Sequence, residues 1–265
     1  MAEKQPRFIS VGAGAEARRI ATLAAAAPDA APGRSGVMWL PGLKSDMTST
    51  KASALADWAQ THAVACVRFD YSGHGQSEGR FEDGTVTRWL EETRAVFEAL
   101  ATGPTVLVGS SMGGYMALLL LRSLMAEAPE TAERITALVL IAPAWDMTRL
   151  MWDNFPPQAR RDIAEKGVYH RPSAYGDGPY PISKAFLDDG ERHLIGASPF
   201  DPGRPVHIIH GLLDPDVPWE HTLDLVAHLT GDHTHVAAVP DGEHRLSRPE
   251  DIALMLEIVG QYVNR

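Results

Sequence analysis

The length, charge and composition of the chain exclude several classes of protein. Its 265 residues suffice for one large α/β domain, or two small ones, with a core that needs no stabilising disulfide. The net charge of −10 argues against a nucleic-acid partner, which would require a basic face. No apolar run approaches the ~18 residues of a membrane span.

The single cysteine, Cys66, lies in a strand-like run at 64–69 and has no second cysteine with which to form an internal disulfide. We therefore expect a buried thiol and a reducing, cytoplasmic setting. The high ratio of arginine to lysine and the abundant alanine favour a bacterial source.

The first predicted element is a hairpin. Residues 8–11 look like a strand, and an arginine pair at 18–19 precedes an alanine-rich apolar run. This pattern resembles a twin-arginine export signal, but its apolar core of about eight residues is at the bottom of the range for signals. Glu3 and Glu16 argue against a mitochondrial transit peptide. We expect residues 7–27 to form an antiparallel hairpin at the edge of a sheet, followed by a loop at 28–36.

Strands and helices alternate through the rest of the chain. Apolar runs predict strands at 37–40, 64–69, 104–108, 135–141, 206–210 and 235–239. Helical spacing predicts helices at 48–61, 85–100, 114–128, 218–230 and 248–263. This alternation predicts an α/β fold with a mostly parallel central sheet, helices on both faces and the antiparallel hairpin at its N-terminal edge.

Residues 144–200 interrupt the alternation. They are rich in proline, contain no β-branched run and carry five tryptophans and tyrosines: Trp145, Trp152, Tyr169, Tyr175 and Tyr180. We expect an insertion of short helices and loops without a strand, which forms a small helical cap over a core of residues 1–143 and 201–265. The aromatic residues either line an apolar tunnel or pack beneath the cap.

The sequence Gly109-Ser110-Ser111-Met112-Gly113 joins the strand at 104–108 to a helix. A G-x-S-x-G sequence in this setting is typical of a nucleophile elbow, a strained turn that exposes one serine hydroxyl. Only Ser111 lies between the two glycines, so it is the candidate nucleophile. The alternative is a glycine-rich turn without chemistry.

A serine nucleophile needs a histidine base, and the histidine needs a carboxylate that orients it. In this arrangement the acid and then the histidine follow the serine along the chain, each after a strand. Asp214 and Asp216 follow the strand at 206–210, and Asp214 is favoured because it is closer to the strand end. Capping of the next helix is the alternative for either aspartate.

His244 follows the last strand and is the candidate base. His207 and His210 lie within a strand, whereas His221 and His228 lie on a helix where we expect them to be mostly solvated. No histidine pair has the helical spacing of a metallohydrolase, so we expect neither a metal nor a cofactor.

The negative charge that develops on the substrate oxygen requires hydrogen-bond donors. One is the backbone N–H of Met112, the residue after the nucleophile. The second should come from the loop after the strand at 37–40. Pro41 has no N–H, so the expected donor is Leu43, which Gly42 allows the turn to orient.

These motifs together resemble the α/β-hydrolase superfamily and, within it, the abhydrolase-domain-containing-10 type. The matching runs are Leu40-Pro41-Gly42 with Ser45-Asp46-Met47, Arg68 to Gly73, Val108 to Gly114, Lys166-Gly167, Asp214 to Trp219, and Asp241 to Arg245.

The resemblance implies an α/β-hydrolase fold and a Ser111–Asp214–His244 triad. It also implies activity as a palmitoyl-protein thioesterase or acyl-glucuronide esterase, on a small-molecule or acylated substrate. We expect a monomer or homodimer. Ser111 excludes the superfamily members that use an aspartate nucleophile. A peptidase, a C–C hydrolase and a catalytically idle binding protein of the same fold are the alternatives.

Overall fold

The computed structural model of the protein describes residues 5–27, 33–173 and 178–264. Tyr175 and the predicted loop residues 28–32 lie outside this part of the chain. The described residues form ten strands: β1 (Arg7–Val11), β2 (Arg18–Ala25), β3 (Gly36–Leu40), β4 (Cys66–Phe69), β5 (Thr105–Ser110), β6 (Ile135–Ile141), β7 (Val168–Arg171), β8 (Tyr180–Ser183), β9 (Val206–Gly211) and β10 (Thr234–Val239).

The α-helices of the described residues alternate with the strands over most of the chain. They are α1 (Thr50–Thr61), α2 (Val86–Leu100), α3 (Met112–Glu127), α4 (Pro129–Ala132), α5 (Met147–Asn154), α6 (Pro157–Lys166), α7 (Lys184–Gly190), α8 (Trp219–His228) and α9 (Pro249–Val263). None of these helices combines the length and apolarity that are needed to span a bilayer.

Eight strands form one sheet in the order β1-β2-β4-β3-β5-β6-β9-β10. The strand β2 pairs antiparallel with both β1 and β4, whereas the pairs from β4 through β10 are parallel. The predicted α/β class, the mostly parallel sheet and the antiparallel edge hairpin are therefore confirmed. The arginine-rich segment at 18–25 is a strand inside this sheet.

Two apolar layers cover the two faces of the sheet, as side-chain alternation along buried strands requires. In β5, Leu107 packs in the layer that contains α2 and α3. Its neighbours Val106 and Val108 pack in the opposite layer, with α1 and α9. The thiol of Cys66 is buried in this second layer, as the sequence predicts.

The insertion at 144–200 contains the expected short helices α5, α6 and α7, but the expectation that it lacks strands is wrong. The strands β7 and β8 form a separate antiparallel hairpin in which Tyr169 pairs with Ile182. The Tyr169 ring contacts Phe155 edge-on at 5.3 Å between centroids, and Ile182 is buried. Two short strands can therefore form without a β-branched run, because each gains an apolar partner. The assignment of 144–200 as a cap stays a prediction.

The parallel strands bring their carboxyl ends to one edge of the sheet, where their loops meet. Helix α3 passes very close to this edge. A Cβ atom on Gly113 would overlap the carbonyl oxygen of Leu40, at the end of β3. The position therefore requires glycine for steric reasons.

Replacing Gly113 tests this close approach. We expect Gly113→Ala to lower the free energy of unfolding by about 2 kcal/mol or more, because the added methyl group forces apart two buried backbones. Gly103 has open space around its Cα, so Gly103→Ala should change stability by less than about 1 kcal/mol. Urea denaturation of both variants measures the difference. Equal effects at the two positions would contradict the steric explanation.

Candidate active site

The turn between β5 and α3 holds Ser111 in a strained backbone conformation. Its φ of +53° and ψ of −116° are unusual for a residue with a side chain. The turn is held by hydrogen bonds from Ser111 N to Ile141 O at 2.8 Å and from Ala144 N to Ser111 O at 3.1 Å. A Cβ on Gly109 would overlap the carbonyl oxygen of Gly113. Strain of this kind concentrates at functional sites, and here it directs one serine hydroxyl outward.

The structure brings Ser111, His244 and Asp214 together from three separate loops. His244 Nδ1 lies 2.7 Å from Asp214 Oδ2, and His244 Nε2 lies 3.1 Å from Ser111 Oγ. A carboxylate only accepts hydrogen bonds, so Nδ1–H donates to Asp214. In the neutral imidazole Nε2 is then an acceptor, directed at the serine hydroxyl.

The carboxylate of Asp214 is fully buried and is hydrogen-bonded at both oxygens. While Oδ2 accepts from His244, Oδ1 accepts from the backbone N–H groups of Asp216 at 2.8 Å and Val217 at 2.9 Å. The loop therefore fixes the orientation of the carboxylate before any substrate binds. Such a carboxylate can hold an imidazole in one tautomer and stabilise its charged form.

The loops that carry Asp214 and His244 are hydrogen-bonded to each other. Leu213 N donates to Gly242 O at 2.9 Å, and Leu212 N donates to Val239 O at 2.9 Å. A Cβ on Gly211 would overlap the carbonyl oxygen of Gly242. The distance between acid and histidine is thus set by backbone contacts at the ends of β9 and β10.

Asp216, the other candidate acid, forms an ion pair with a different side chain. Its Oδ1 pairs with Arg171 Nη2 of β7 at 3.2 Å, and both side chains are about one-third exposed. Helix α8 begins directly after Pro218, and no side chain caps its N-terminus. The alternative in which an aspartate caps this helix is therefore wrong. The geometry selects Asp214 as the residue that contacts the histidine.

Gly42 and Leu43 lie beside the strained turn. A Cβ on Gly42 would be 3.2 Å from Ser110 O and 3.4 Å from Ser111 Cβ, so the loop after β3 runs directly against the turn that holds Ser111. Leu43 lines the same cavity as Ser111, and Met112 is buried as the first residue of α3. Their roles as amide donors stay a prediction.

A cavity of about 690 Å³ opens over Ser111 and His244, a size typical of small-molecule sites. One part of its lining is apolar and comes mainly from α5 and its neighbours: Ala144, Met147, Leu150, Met151, Phe155 and Tyr169. Another part is polar and comes from the loop after β3, the start of α1 and the chain beyond His244: Ser45, Ser49, Thr50, Lys51, Arg245 and Ser247.

Trp152 is exposed, so neither expected role fits it, whereas Tyr169, Tyr180 and Trp145 divide between the two roles. Tyr169 and Tyr180 line the cavity. Trp145 is buried against α8, where its ring stacks on His221 at 4.9 Å between centroids. Trp145 Nε1 donates to His221 O at 2.8 Å. The expectation that His221 and His228 are mostly solvated is wrong, because Trp145 also stacks on His228.

Lys51 is a cavity residue that the sequence analysis does not single out. Its Nζ donates to Ser247 Oγ at 3.2 Å and to the carbonyl oxygen of Arg245, the residue after His244. Burial, with a smaller contribution from the Arg245 charge, lowers the pKa of Lys51 to about 8. The contact joins residues 194 positions apart, so no local pattern marks it.

Asp214, Asp216 and His244 also offer potential metal-ligand atoms within 4.8 Å of one another. Two of these three residues hydrogen-bond to each other at 2.7 Å, and Asp216 pairs with Arg171. A metal would have to displace these contacts. The expectation of a metal-free site stays a prediction.

The lowered pKa of Lys51 predicts a pH dependence of stability. Its ordinary pKa is near 10.5, so between about pH 8 and 10.5 the unfolded chain binds more protons at this site and stability rises with pH. We therefore expect the stability of the wild type, relative to Lys51→Met, to increase across this window. Urea unfolding of both proteins at several pH values measures the difference. A difference that is independent of pH would contradict the burial of the charge.

Comparison with known proteins identifies the family of the chain. The family profile described as Hydrolase_4, serine aminopeptidase S33, matches residues 32–174, more than half of the chain. The human protein named palmitoyl-protein thioesterase ABHD10, mitochondrial, is 30% identical over 231 residues, which are 87% of this chain and 73% of that protein.

Two solved structures resemble the whole chain. A putative hydrolase from Agrobacterium vitis S4 has a TM-score of 0.92 and 42% identity, with 98% of both chains covered. Alpha/beta hydrolase domain-containing protein 10 from mouse has a TM-score of 0.84 and 29% identity, with 98% of this chain and 99% of that chain covered. The chain therefore belongs to the α/β-hydrolase superfamily and, within it, to the ABHD10 family.

Proposed function

We propose that the protein is a serine hydrolase that cleaves carboxylic esters or thioesters through an acyl-enzyme on Ser111. The continuous hydrogen-bonded series Asp214–His244–Ser111, with separations of 2.7 and 3.1 Å, carries this proposal. Its outer end lies at a cavity and its inner end is a buried carboxylate. This arrangement supports general-base activation of a hydroxyl nucleophile.

In the proposed reaction Ser111 Oγ attacks the carbonyl carbon as its proton passes to His244 Nε2. The backbone N–H groups of Leu43 and Met112 hold the oxyanion. The protonated His244, stabilised by Asp214, then transfers the proton to the departing alcohol or thiol. Water attacks the acyl-enzyme by the same steps and releases the acid, which returns Ser111 to its starting state.

The cavity lining supports an acyl substrate. Met147, Leu150 and Met151 of α5 offer an apolar surface to an acyl chain, and the human relative is named for removal of palmitoyl groups from proteins. The polar lining near His244 suits a leaving group, because the leaving group takes its proton from that histidine. Acylated proteins, acyl glucuronides and small esters all fit this description.

A peptidase is the second candidate, because the matching family profile is described as a serine aminopeptidase. Recognition of a free amino terminus requires an acidic group in the cavity. Among the described residues that line the cavity, Asp216 is the acidic one. Its carboxylate is paired with Arg171. The basic side chains in that lining are Lys44, Lys51, Arg171 and Arg245. This charge distribution favours the ester or thioester.

The buried single cysteine favours a reducing compartment, and we propose a cytoplasmic location. The curated relatives are named mitochondrial.

The two aspartates in the loop after β9, Asp214 and Asp216, provide a matched test. We expect Ser111→Ala to abolish p-nitrophenyl ester hydrolysis and Asp214→Asn to lower kcat by about 10⁴-fold, because the histidine loses its orienting carboxylate. Asp216→Asn should change kcat by less than about fivefold, since its partner is Arg171. Steady-state kinetics and labelling by a fluorophosphonate probe measure these effects. Activity that survives in Ser111→Ala, or a label on another residue, would overturn the proposal.

A substrate panel separates the ester or thioester hydrolase from the peptidase. We expect kcat/KM for a medium-chain acyl thioester and its p-nitrophenyl ester to exceed that for an aminoacyl p-nitroanilide by at least about 100-fold, or about 2.7 kcal/mol in transition-state stabilisation. The Ser111→Ala protein is the control for spontaneous thioester hydrolysis. A preference for the aminoacyl amide would support the peptidase instead.

A further inference from the structure

The loop at 41–49, between β3 and α1, carries the proposed oxyanion donor Leu43, and we name it the oxyanion loop. A hydrogen bond from Ser45 N to Gly42 O at 3.0 Å closes a turn around Leu43. On one side of the turn, Gly42 abuts Ser110 and Ser111. The position of the Leu43 amide therefore depends on what holds the other side of the turn.

Met47 holds that other side, and its backbone is bound at both polar atoms by side chains from the end of β4. Met47 N donates to Asp70 Oδ1 at 2.7 Å. Arg68 Nη1 donates to Met47 O at 2.8 Å. The strand β4 is the parallel neighbour of β3, so the sheet itself places these two side chains beside the oxyanion loop.

The carboxylate of Asp70 is enclosed by a second loop. Its Oδ2 accepts from Gln76 N at 2.7 Å, and Ser77 Oγ donates to the Asp70 carbonyl at 2.6 Å. Gly75 adopts a φ of +47°, and a Cβ there would overlap Asp70 Oδ2. The chain at 70–77 thus closes tightly on this one side chain.

This carboxylate is costly for the fold. Asp70 is 1% exposed, and within the described part of the chain no basic nitrogen lies within 4.0 Å of its oxygens. Burial raises the pKa of Asp70, although the amides of Gln76 and Met47 oppose the rise. The nearby Arg68 charge also favours the ionised carboxylate, and the two hydrogen bonds from amides, both 2.7 Å, are short and strong.

We infer that Asp70 is a positioning residue of the hydrolase site: by fixing Met47 against β4, it sets the place of the Leu43 amide relative to Ser111. The inference rests on the proposed function, because it assigns Asp70 a part in oxyanion stabilisation. A carboxylate fits this position because each of its two oxygens accepts a backbone N–H, and one of these N–H groups belongs to the oxyanion loop. Arg68 holds the same residue through its carbonyl oxygen.

The test compares catalysis with stability in Asp70→Asn. The amide keeps the shape and one acceptor, but its NH₂ group faces one of the two backbone N–H groups. We expect kcat to fall roughly 10- to 100-fold with KM changed less than about threefold, since a displaced donor acts mainly in the transition state. The inhibition constant of an acyl trifluoromethyl ketone, whose adduct carries the oxyanion, should rise by a similar factor.

Asp189→Asn is the matched control. Asp189 is 5% exposed and accepts from Thr87 N at 2.8 Å, so this hydrogen bond connects it to α2 and not to the oxyanion loop. We expect this variant to lower the melting temperature without changing kcat or the inhibition constant. Arg68→Met is a second test that keeps the carboxylate, and it should show the same kinetic signature with a loss of at least about threefold.

An unchanged inhibition constant in folded Asp70→Asn would overturn the inference, as would an equal kinetic loss in Asp189→Asn. If Asp70→Asn does not fold, Arg68→Met decides: wild-type kinetics there would also overturn it. Failure of the proposed function gives a different result, because turnover would then survive in Ser111→Ala. Loss of turnover in Ser111→Ala, together with wild-type kinetics in both Asp70→Asn and Arg68→Met, would reject the positioning role and leave the proposed function intact.

Discussion

The left-handed backbone of Ser111 is the constraint on which the rest of the site depends. A residue with a side chain adopts a φ of +53° only where the surroundings enforce it. Here the enforcement comes from the parallel sheet, since Ser111 N is bonded to the end of β6 and Gly42 of the neighbouring loop abuts the turn. The strain is thus balanced by the packing of three adjacent strand ends, and the hydroxyl points where the sheet directs it.

Much of this architecture is predictable from the sequence, because the strands of a parallel sheet appear in it as short runs of apolar residues. The strand Ile135–Ile141 was predicted with the bounds that the structure gives. The N-terminus of α2 is similarly clear, since Thr85 accepts a hydrogen bond from Arg88 N as a helix cap. Ser111, Asp214 and His244 were identifiable because each follows a strand in a fixed order, so chain order substitutes for spatial information.

The features that the sequence does not reveal depend on contacts between distant segments. The hairpin of β7 and β8 is stabilised by neighbours such as Phe155, which no local periodicity indicates. Lys51 and Asp70 look like ordinary surface or loop residues until the fold places them against Arg245 and Met47. The sequence favours Asp214 over Asp216 because Asp214 is closer to the strand end, and the structure adds the contact of Asp214 with His244.

The insertion at 144–200 leaves the sheet after β6 and returns before β9, and these two strands are immediate neighbours that pair in parallel. Because the pairing is parallel, the chain leaves β6 at the carboxyl edge of the sheet, beside the site, and enters β9 at the opposite edge, so the sheet fixes both attachment points. The entropy of closing such a loop grows only slowly with its length. The chain between β6 and β9, which contributes to the cavity lining, can accordingly change in length without altering the strand ends that hold Ser111, Asp214 and His244. The fold separates the part of the chain that is free to diversify from the part that is geometrically bound.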